Sequence, residues 1–389
     1  MNDQFDFSDI APFDDKDFQA KMAVLVKEPG FEHAVRYVMP DVDYPEFVKK
    51  LLSIPDKDTF QHKVMGEFLN LLESRTTDGI TMGGAEFLEP GKCYTYLSNH
   101  RDIVLDASFL NLCLIRRNLP TSEVAIGNNL LIFDWITDLV KLNKSFIVKR
   151  GLSMTKALEA ARQLSAYIHY AIADKHQSVW IAQREGRAKD SNDLTQESLL
   201  KMLALQGGGN VIDNILAINL MPVSISYEYD PNDYLKATEF LLKRLDPEYK
   251  KSPHDDLLSM ETGLLQPKGR VHFQLSPCIN NELATLSSET PKAELIKQIC
   301  HIIDRAIHGG YMIYPINYVA YDMLHNTDRF AGKYTADERR SVLEYIEKQL
   351  DKVRLENVSE PDRHYMRQMM YTMYANPLRN KLSAEAPDR

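Results

Sequence analysis

The sequence predicts an α/β protein: a mixed, largely parallel sheet flanked by helices, with helical segments at both the N- and C-terminal ends. Three observations carry that expectation. Between residues 81 and 285, short apolar runs rich in β-branched and aromatic residues alternate with longer stretches of helical period, the pattern of strands joined by crossover helices. Outside that stretch the apolar spacing is mostly helical. The chain of 389 residues is 44% hydrophobic and 26% charged, and at this length it can bury about 75% of its unfolded surface, enough for one large core with satellite segments.

Residues 1–80 are expected to form an acidic arm and a helical preface. The first part, to about Asp43, carries Phe5, Phe7, Phe13, Phe18 and Phe31, which can dock on a surface, and reads as partly ordered. Over residues 44–74, the spacing of Phe47, Leu51 and Leu52, then Val64, Phe68, Leu71 and Leu72, fits two amphipathic helices broken near Pro55. After Thr76, glycine-rich turns lead into a β-rich segment at 93–97. Further strands are expected at 123–126, 145–148, 178–182, 219–227 and 270–275, separated by helical patterns at 103–116, 130–139, 153–174 and 195–205. Residues 81–285 would be the α/β domain. Residues 286–389 return to helix, at 292–307, 337–355 and 362–374, and would pack on the core, with the last fifteen residues polar and frayed.

Composition excludes several classes. A net charge of −9 makes the chain a poor general binder of nucleic acid, because such binding comes from Lys and Arg neutralising phosphates. Any anionic ligand must meet a local basic patch. Cys93, Cys113, Cys278 and Cys300 are far apart with no CxxC pairing, which points to a reducing compartment. The start carries six Asp against one Lys, opposite to an export signal. The best charge-free stretch, 214–227, is too short to span a membrane and contains Pro222.

Four segments carry residues fit for chemistry. Ser98-Asn99-His100-Arg101-Asp102-Ile103-Val104-Leu105-Asp106 stands where a strand ends and a helix begins, the place where sites gather in α/β sheets. A carboxylate in the following helix can accept a hydrogen bond from His100 Nδ1–H and leave Nε2 free as a base. The alternative is that Asn99 or Asp102 caps the helix and His100 is merely exposed. Lys149 and Arg150 end a strand and suit a phosphate, Arg as a fork and Lys as a point charge, or form a solvated strand end. In Arg184-Glu185-Gly186-Arg187-Ala188-Lys189, Gly186 permits φ > 0 and close approach to a ligand, though an ordinary polar loop has the same composition. The fourth segment, around Pro222, reads as a buried strand with proline near its start, shaping a pocket wall.

Taken in order and spacing, these segments resemble the blocks of the glycerophosphate acyltransferase superfamily, the glycerol-3-phosphate branch more than the lysophosphatidate branch. NHRDIVLD resembles the His-x4-Asp block, SFIVKR the second, REGRAK the Glu-Gly-x-Arg-type third and LMPVSISYE the Pro-containing fourth. GRVHFQLSPCI resembles the strand that closes the domain, so the resemblance covers residues 83–277. Two departures stand out. His100 to Asp106 is His-x5-Asp, an extra residue that a looser first turn or a π-bulge can absorb. Asp102 is the alternative partner, at poorer reach. The third block also lacks the usual Ser-Arg after its Arg-type position.

The resemblance implies acyl transfer from a thioester, acyl-CoA or acyl carrier protein, to a hydroxyl of glycerol-3-phosphate or a lysophospholipid, without cofactor, metal or acyl-enzyme. His100 would be the base and Asp106 its orienting carboxylate. Lys149, Arg150 and Arg187 would clamp the phosphate, with Glu185, Gly186 and Pro222 lining the substrate site. The protein would be cytoplasmic, meeting the inner face of a membrane peripherally. Two other readings stand beside this one. One is a lipid-binding protein of the same fold that has lost activity. The other is a metal-dependent hydrolase using His100, Asp102 and Asp106 with His176 or His272, although no HxH, HExxH or Cys-cluster spacing supports a ligand set.

Overall fold

A computed structural model describes residues 5–386. The N-terminal part is α1 (Asp15–Leu25), α2 (Pro29–Val38), α3 (Tyr44–Leu52), α4 (Lys57–Phe60), a π-helical turn (Gln61–Met65) and α5 (Gly66–Thr76). The chain then runs β1 (Ile80–Gly83), β2 (Thr95–Ser98), α6 (Leu105–Ile115), β3 (Glu123–Gly127), α7 (Asp134–Leu142), β4 (Ser145–Val148), α8 (Met154–Ala173) and β5 (Val179–Ala182). There follow α9 (Glu197–Leu203), α10 (Val211–Leu216), β6 (Leu220–Tyr227), α11 (Asp233–Leu245), α12 (Pro253–Leu265) and β7 (Val271–Leu275). The last helices are α13 (Asn280–Leu283), α14 (Lys292–Gly309), α15 (Pro315–His325), α16 (Ala336–Leu350) and α17 (Glu360–Glu385).

The strands make one seven-stranded sheet in the order β1-β7-β6-β2-β5-β3-β4. Strands β2 to β6 are mutually parallel, and only β7 runs antiparallel to its neighbour β6. Leu97 of β2 sits in register between Ile181 of β5 and Pro222 of β6, at the centre of the sheet. Burial on both faces explains why these strands read as continuous apolar runs. One face packs Ile181, Phe146 and Leu220 against α8, α9 and α14, and the other packs Tyr96, Trp180 and Val223 against α6. The expected α/β sheet with flanking helices is therefore the observed fold. No helix among the described residues is long and apolar enough to cross a membrane.

Three expectations are corrected. From residue 5 onward the N-terminal segment is not a partly ordered arm, the first four residues lying outside those described: Phe18, Met22 and Leu25 recur on one face of α1, Phe31 and Val35 on α2, and all five are buried. Ahead of them, Ile10 accepts a bond from Ile147 N–H of β4 at 2.9 Å, so the segment lies along the sheet edge. The glycine-rich stretch after Thr76 hides β1, which is short but pairs in parallel with β7 from Ile80↔Val271 to Gly83↔Gln274. The terminal residues do not fray within the described range: α17 runs to Glu385 with Leu378 buried, and Lys381 Nζ donates to the carbonyls of Gly309 and Tyr311, both at 2.8 Å. Helices α11 and α12, inserted between β6 and β7, and α15 were not expected either. Charged residues interrupt the apolar pattern of α11 and α12, whereas α15, with Asp322 as its one acidic residue, is a short and mostly apolar helix that opens on Pro315.

Candidate active site

Parallel strands bring their C-terminal ends to one edge of the sheet. There Ser98, Gly127, Val148 and Ala182 end β2, β3, β4 and β5, and the loops that follow carry the predicted residues. His100 Nδ1 lies 2.8 Å from Asp106 Oδ2. The same oxygen accepts the backbone N–H of Arg101 at 2.7 Å and of Asp102 at 3.1 Å, so three donors hold one carboxylate. Asp106 is buried, while the His100 side chain keeps 14% exposure toward a cavity. No group among the described residues hydrogen-bonds its Nε2. The ring packs edge-on against Trp180, with centroids 5.8 Å apart, and Trp180 Nε1 is fixed by Ser98 Oγ at 3.0 Å.

The extra residue of the His-x5-Asp spacing is absorbed before the helix. Asp102 Oδ1 accepts Val104 N–H at 2.9 Å and Leu105 N–H at 2.8 Å, making a side-chain turn that delays α6 until Leu105. Asp106 then falls in the first turn of α6, within reach of His100. Asp102 does not touch His100. It is fully buried, and burial together with the neighbouring Asp106 carboxylate pushes its pKa up.

The cavity beside His100 has a volume of about 860 Å³. Its apolar wall includes Ile103, Ala107, Ile126, Ile136 and Leu139, and Lys149, Arg150, Arg184, Glu185, Gly186 and Arg187 line its polar side. Of the predicted residues only Asp106, behind His100, and Pro222 do not line it. Pro222 pairs with Leu97 inside the sheet and accepts Ser276 N–H at 3.0 Å through its carbonyl, which makes it part of β6 beside β2 and not the pocket wall that was expected.

The cations are not equally free. Lys149 is paired with the Asp9 carboxylate and also donates to Gln163 Oε1 at 3.0 Å. Arg150 lines the cavity with Nε 3.6 Å from Glu185 and Nη1 donating to Asn129 Oδ1 at 3.3 Å. Arg187 is buried, and with the Asn232 amide turned so that both its ends are satisfied, Nη1 donates to it at 3.1 Å. Gly186 adopts φ +68 with open space where a Cβ would stand, so the glycine serves the turn.

Sequence reasoning missed the far wall of the site. Glu239 of α11 accepts Lys189 Nζ at 2.6 Å and Lys243 Nζ at 2.8 Å and forms an ion pair with Lys251 at 3.1 Å, and Glu239, Lys189 and Lys251 all line the cavity. Burial and then the adjacent Arg187 bring the Lys189 ammonium down to about 7. Burial works against the Glu239 carboxylate, yet its lysine partners hold it at about 2. Lys189 was visible in the third segment. Glu239, on a helix not expected, and Lys251, in the loop between α11 and α12, left no local signal. Among the described residues no group of three or more His, Cys, Asp or Glu is placed to hold a metal ion.

No protein-family model matches the chain, and no curated protein matches it. Among solved structures, the crystal structure of the 1-acyl-sn-glycerophosphate (LPA) acyltransferase PlsC from Thermotoga maritima is similar over 74% of this chain and 95% of that one, at 12% sequence identity and a TM-score of 0.39.

Proposed function

We propose that the protein is an acyltransferase that moves a fatty acyl group from a thioester, acyl-CoA or acyl carrier protein, to a hydroxyl of a glycerophosphate, either glycerol-3-phosphate or a lysophospholipid. The observation that carries this reading is the His100–Asp106 pair, 2.8 Å apart, at the side of a cavity with one apolar wall and one cationic wall. An acyl chain needs the first and a phosphate the second.

In this reading Asp106 holds the Nδ1 proton, so Nε2 takes the proton of the acceptor hydroxyl as its oxygen attacks the thioester carbonyl. The tetrahedral intermediate collapses with loss of the thiolate, which recovers the proton from the imidazolium. No acyl-enzyme forms. A free hydroxyl is too weakly acidic to attack at neutral pH; base catalysis supplies about 10²–10⁴-fold and positioning the remainder. Arg150 and Arg187 bind the phosphate, Lys149 supports them, and Glu185 and Gly186 shape the turn that leads into Arg187. The lipid substrate would be met at a membrane surface, which the chain contacts peripherally.

The test is acyl transfer by purified protein from labelled acyl-CoA or acyl carrier protein to glycerol-3-phosphate, dihydroxyacetone phosphate or lysophosphatidate, with His100→Ala as control. Transfer to one of these acceptors that the variant loses is the expected result. Absence of transfer with every donor and acceptor pair, from protein that remains folded, would overturn the reading.

A further inference from the structure

Arg101, the residue after His100, turns the other way. Its backbone N–H bonds Asp106 at 2.7 Å, while its guanidinium is buried, with Nη2 2.7 Å from Asp193 Oδ2. The cation lies over the Tyr311 ring at 5.6 Å, and the Tyr311 hydroxyl donates to the same Asp193 oxygen at 2.7 Å. His308 Nε2 stands 2.6 Å from the Asp193 carbonyl. Asp193 belongs to the loop between β5 and α9, which also carries Glu185, Arg187 and Lys189. That loop is pinned from the C-terminal region twice more. Thr195 donates to Asp304 of α14 through its N–H at 2.8 Å and its hydroxyl at 2.6 Å, and Asn376 of α17 donates to the Asp190 carbonyl at 2.7 Å.

One buried carboxylate therefore sits on the cation loop, grips the His100 loop, and is itself gripped by the C-terminal region. A buried ion pair contributes little net stability over an apolar replacement of the same shape, but it fixes the relative placement of the segments that carry it. We propose that Asp193 is a positioning residue: through Arg101 it sets where His100 stands relative to Arg187, and Tyr311 transmits the seating of the C-terminal helices to the site. This rests on the reading of His100 as base and Arg187 as acceptor-binding cation.

Tyr311→Phe removes one hydrogen bond to Asp193 and keeps the ring beneath Arg101; Asp193→Asn removes the charge. Both are compared with the wild type and His100→Ala as full chains, measuring kcat, KM for each substrate, melting temperature and the nitrogen NMR signals of the His100 ring. Asp193→Asn should lower kcat by about tenfold or more and Tyr311→Phe by about threefold, with donor KM unchanged, because small displacements of a reacting group are costly. In both, the signal of the Nδ1–H tautomer should weaken. A folded variant with kcat within about twofold of wild type and unaltered ring signals, even with a lower melting temperature, overturns the proposal. Should Asp193→Asn not fold, Tyr311→Phe alone decides. If His100→Ala keeps full activity, the reading of the base fails, and the ring signals, which need no turnover, still decide on Asp193.

Discussion

Gly263 of α12 stands against the carboxylate of Asp102: a Cβ at position 263 would overlap Asp102 Oδ2 and come 2.9 Å from its Cγ. The other oxygen of Asp102 is already committed to the N–H groups of Val104 and Leu105. The turn that places His100 and Asp106 together is thus wedged between its own backbone and a helix inserted far along the chain.

Gly263→Ala should therefore destabilise the protein, although Ala is the better helix former by about 1 kcal/mol. Overpacking a fully buried site costs about 1–3 kcal/mol, and here the group displaced is a short carboxylate with no alternative place. The melting temperature should fall. Turnover of the remaining folded protein should also fall, since the turn must shift. A variant as stable and active as wild type would mean that α12 yields instead.

The roles of the two carboxylates can be separated. Asp106→Asn removes the charge that stabilises the imidazolium, and should lower kcat by about 10²–10⁴-fold, comparable with His100→Ala. Asp102→Asn keeps an oxygen for Val104 and Leu105, and its carboxyl pKa is already raised by burial, so the exchange should cost less than about tenfold. Steady-state rates of the three variants, normalised to folded protein, check the order. Equal losses for Asp102 and Asp106 would show that the turn matters more than the charge.

Much of the site could be read from the chain because it is local. His100 and Arg150 stand two residues past the ends of β2 and β4, and Arg187 lies in the loop that leaves β5, and parallel pairing carries such positions to one edge without any knowledge of the rest of the fold. Asp106 was within reach of that logic, but the device that brings it to His100, the Asp102 side-chain turn, depends on which of two carboxylates caps the helix. The partners of the cations lay beyond it. Asp9, Asp193 and Glu239 meet Lys149, Arg101 and Lys189 across long stretches of chain, and no spacing rule connects them. The fold followed the same division: β2 to β7 were legible as apolar runs, whereas β1, in which Thr81 alone is neither glycine nor next to one, took its identity from pairing with β7.

The Asp9 pairing changes what Lys149 should contribute. Charge-assisted bonds to phosphate are worth about 1.5–3 kcal/mol, but a cation already countered by a carboxylate gains less from a ligand. Arg187→Ala should raise the acceptor KM by about tenfold or more, whereas Lys149→Ala should change it by a smaller factor. Arg150→Lys should not restore full binding, because an ammonium cannot reproduce the planar fork. Acceptor KM values for the three variants, with donor KM as control, make the comparison. If Arg187→Ala instead weakened only the donor, the two substrates would have to be exchanged within the cavity.

Lys189 supplies a pH-dependent test of the far wall. In the unfolded chain its ammonium keeps its proton to about 10.5, but in the fold only to about 7, because burial and then Arg187 oppose the charge despite Glu239. Between those pH values the unfolded state binds more protons, so this group makes stability rise with pH. Below about pH 7 both states are protonated and the full penalty of burying the charge is present; it is removed progressively above that. Lys189→Met abolishes the penalty at every pH. Its stability relative to wild type should therefore be most favourable near pH 6.5 and decline toward pH 9.5, while Glu239, held near 2, stays ionised throughout. Denaturant midpoints of the two proteins at both pH values measure this. A difference that is constant, or that grows with pH in favour of the variant, would mean that Lys189 keeps its proton in the fold and that the Glu239 carboxylate outweighs burial.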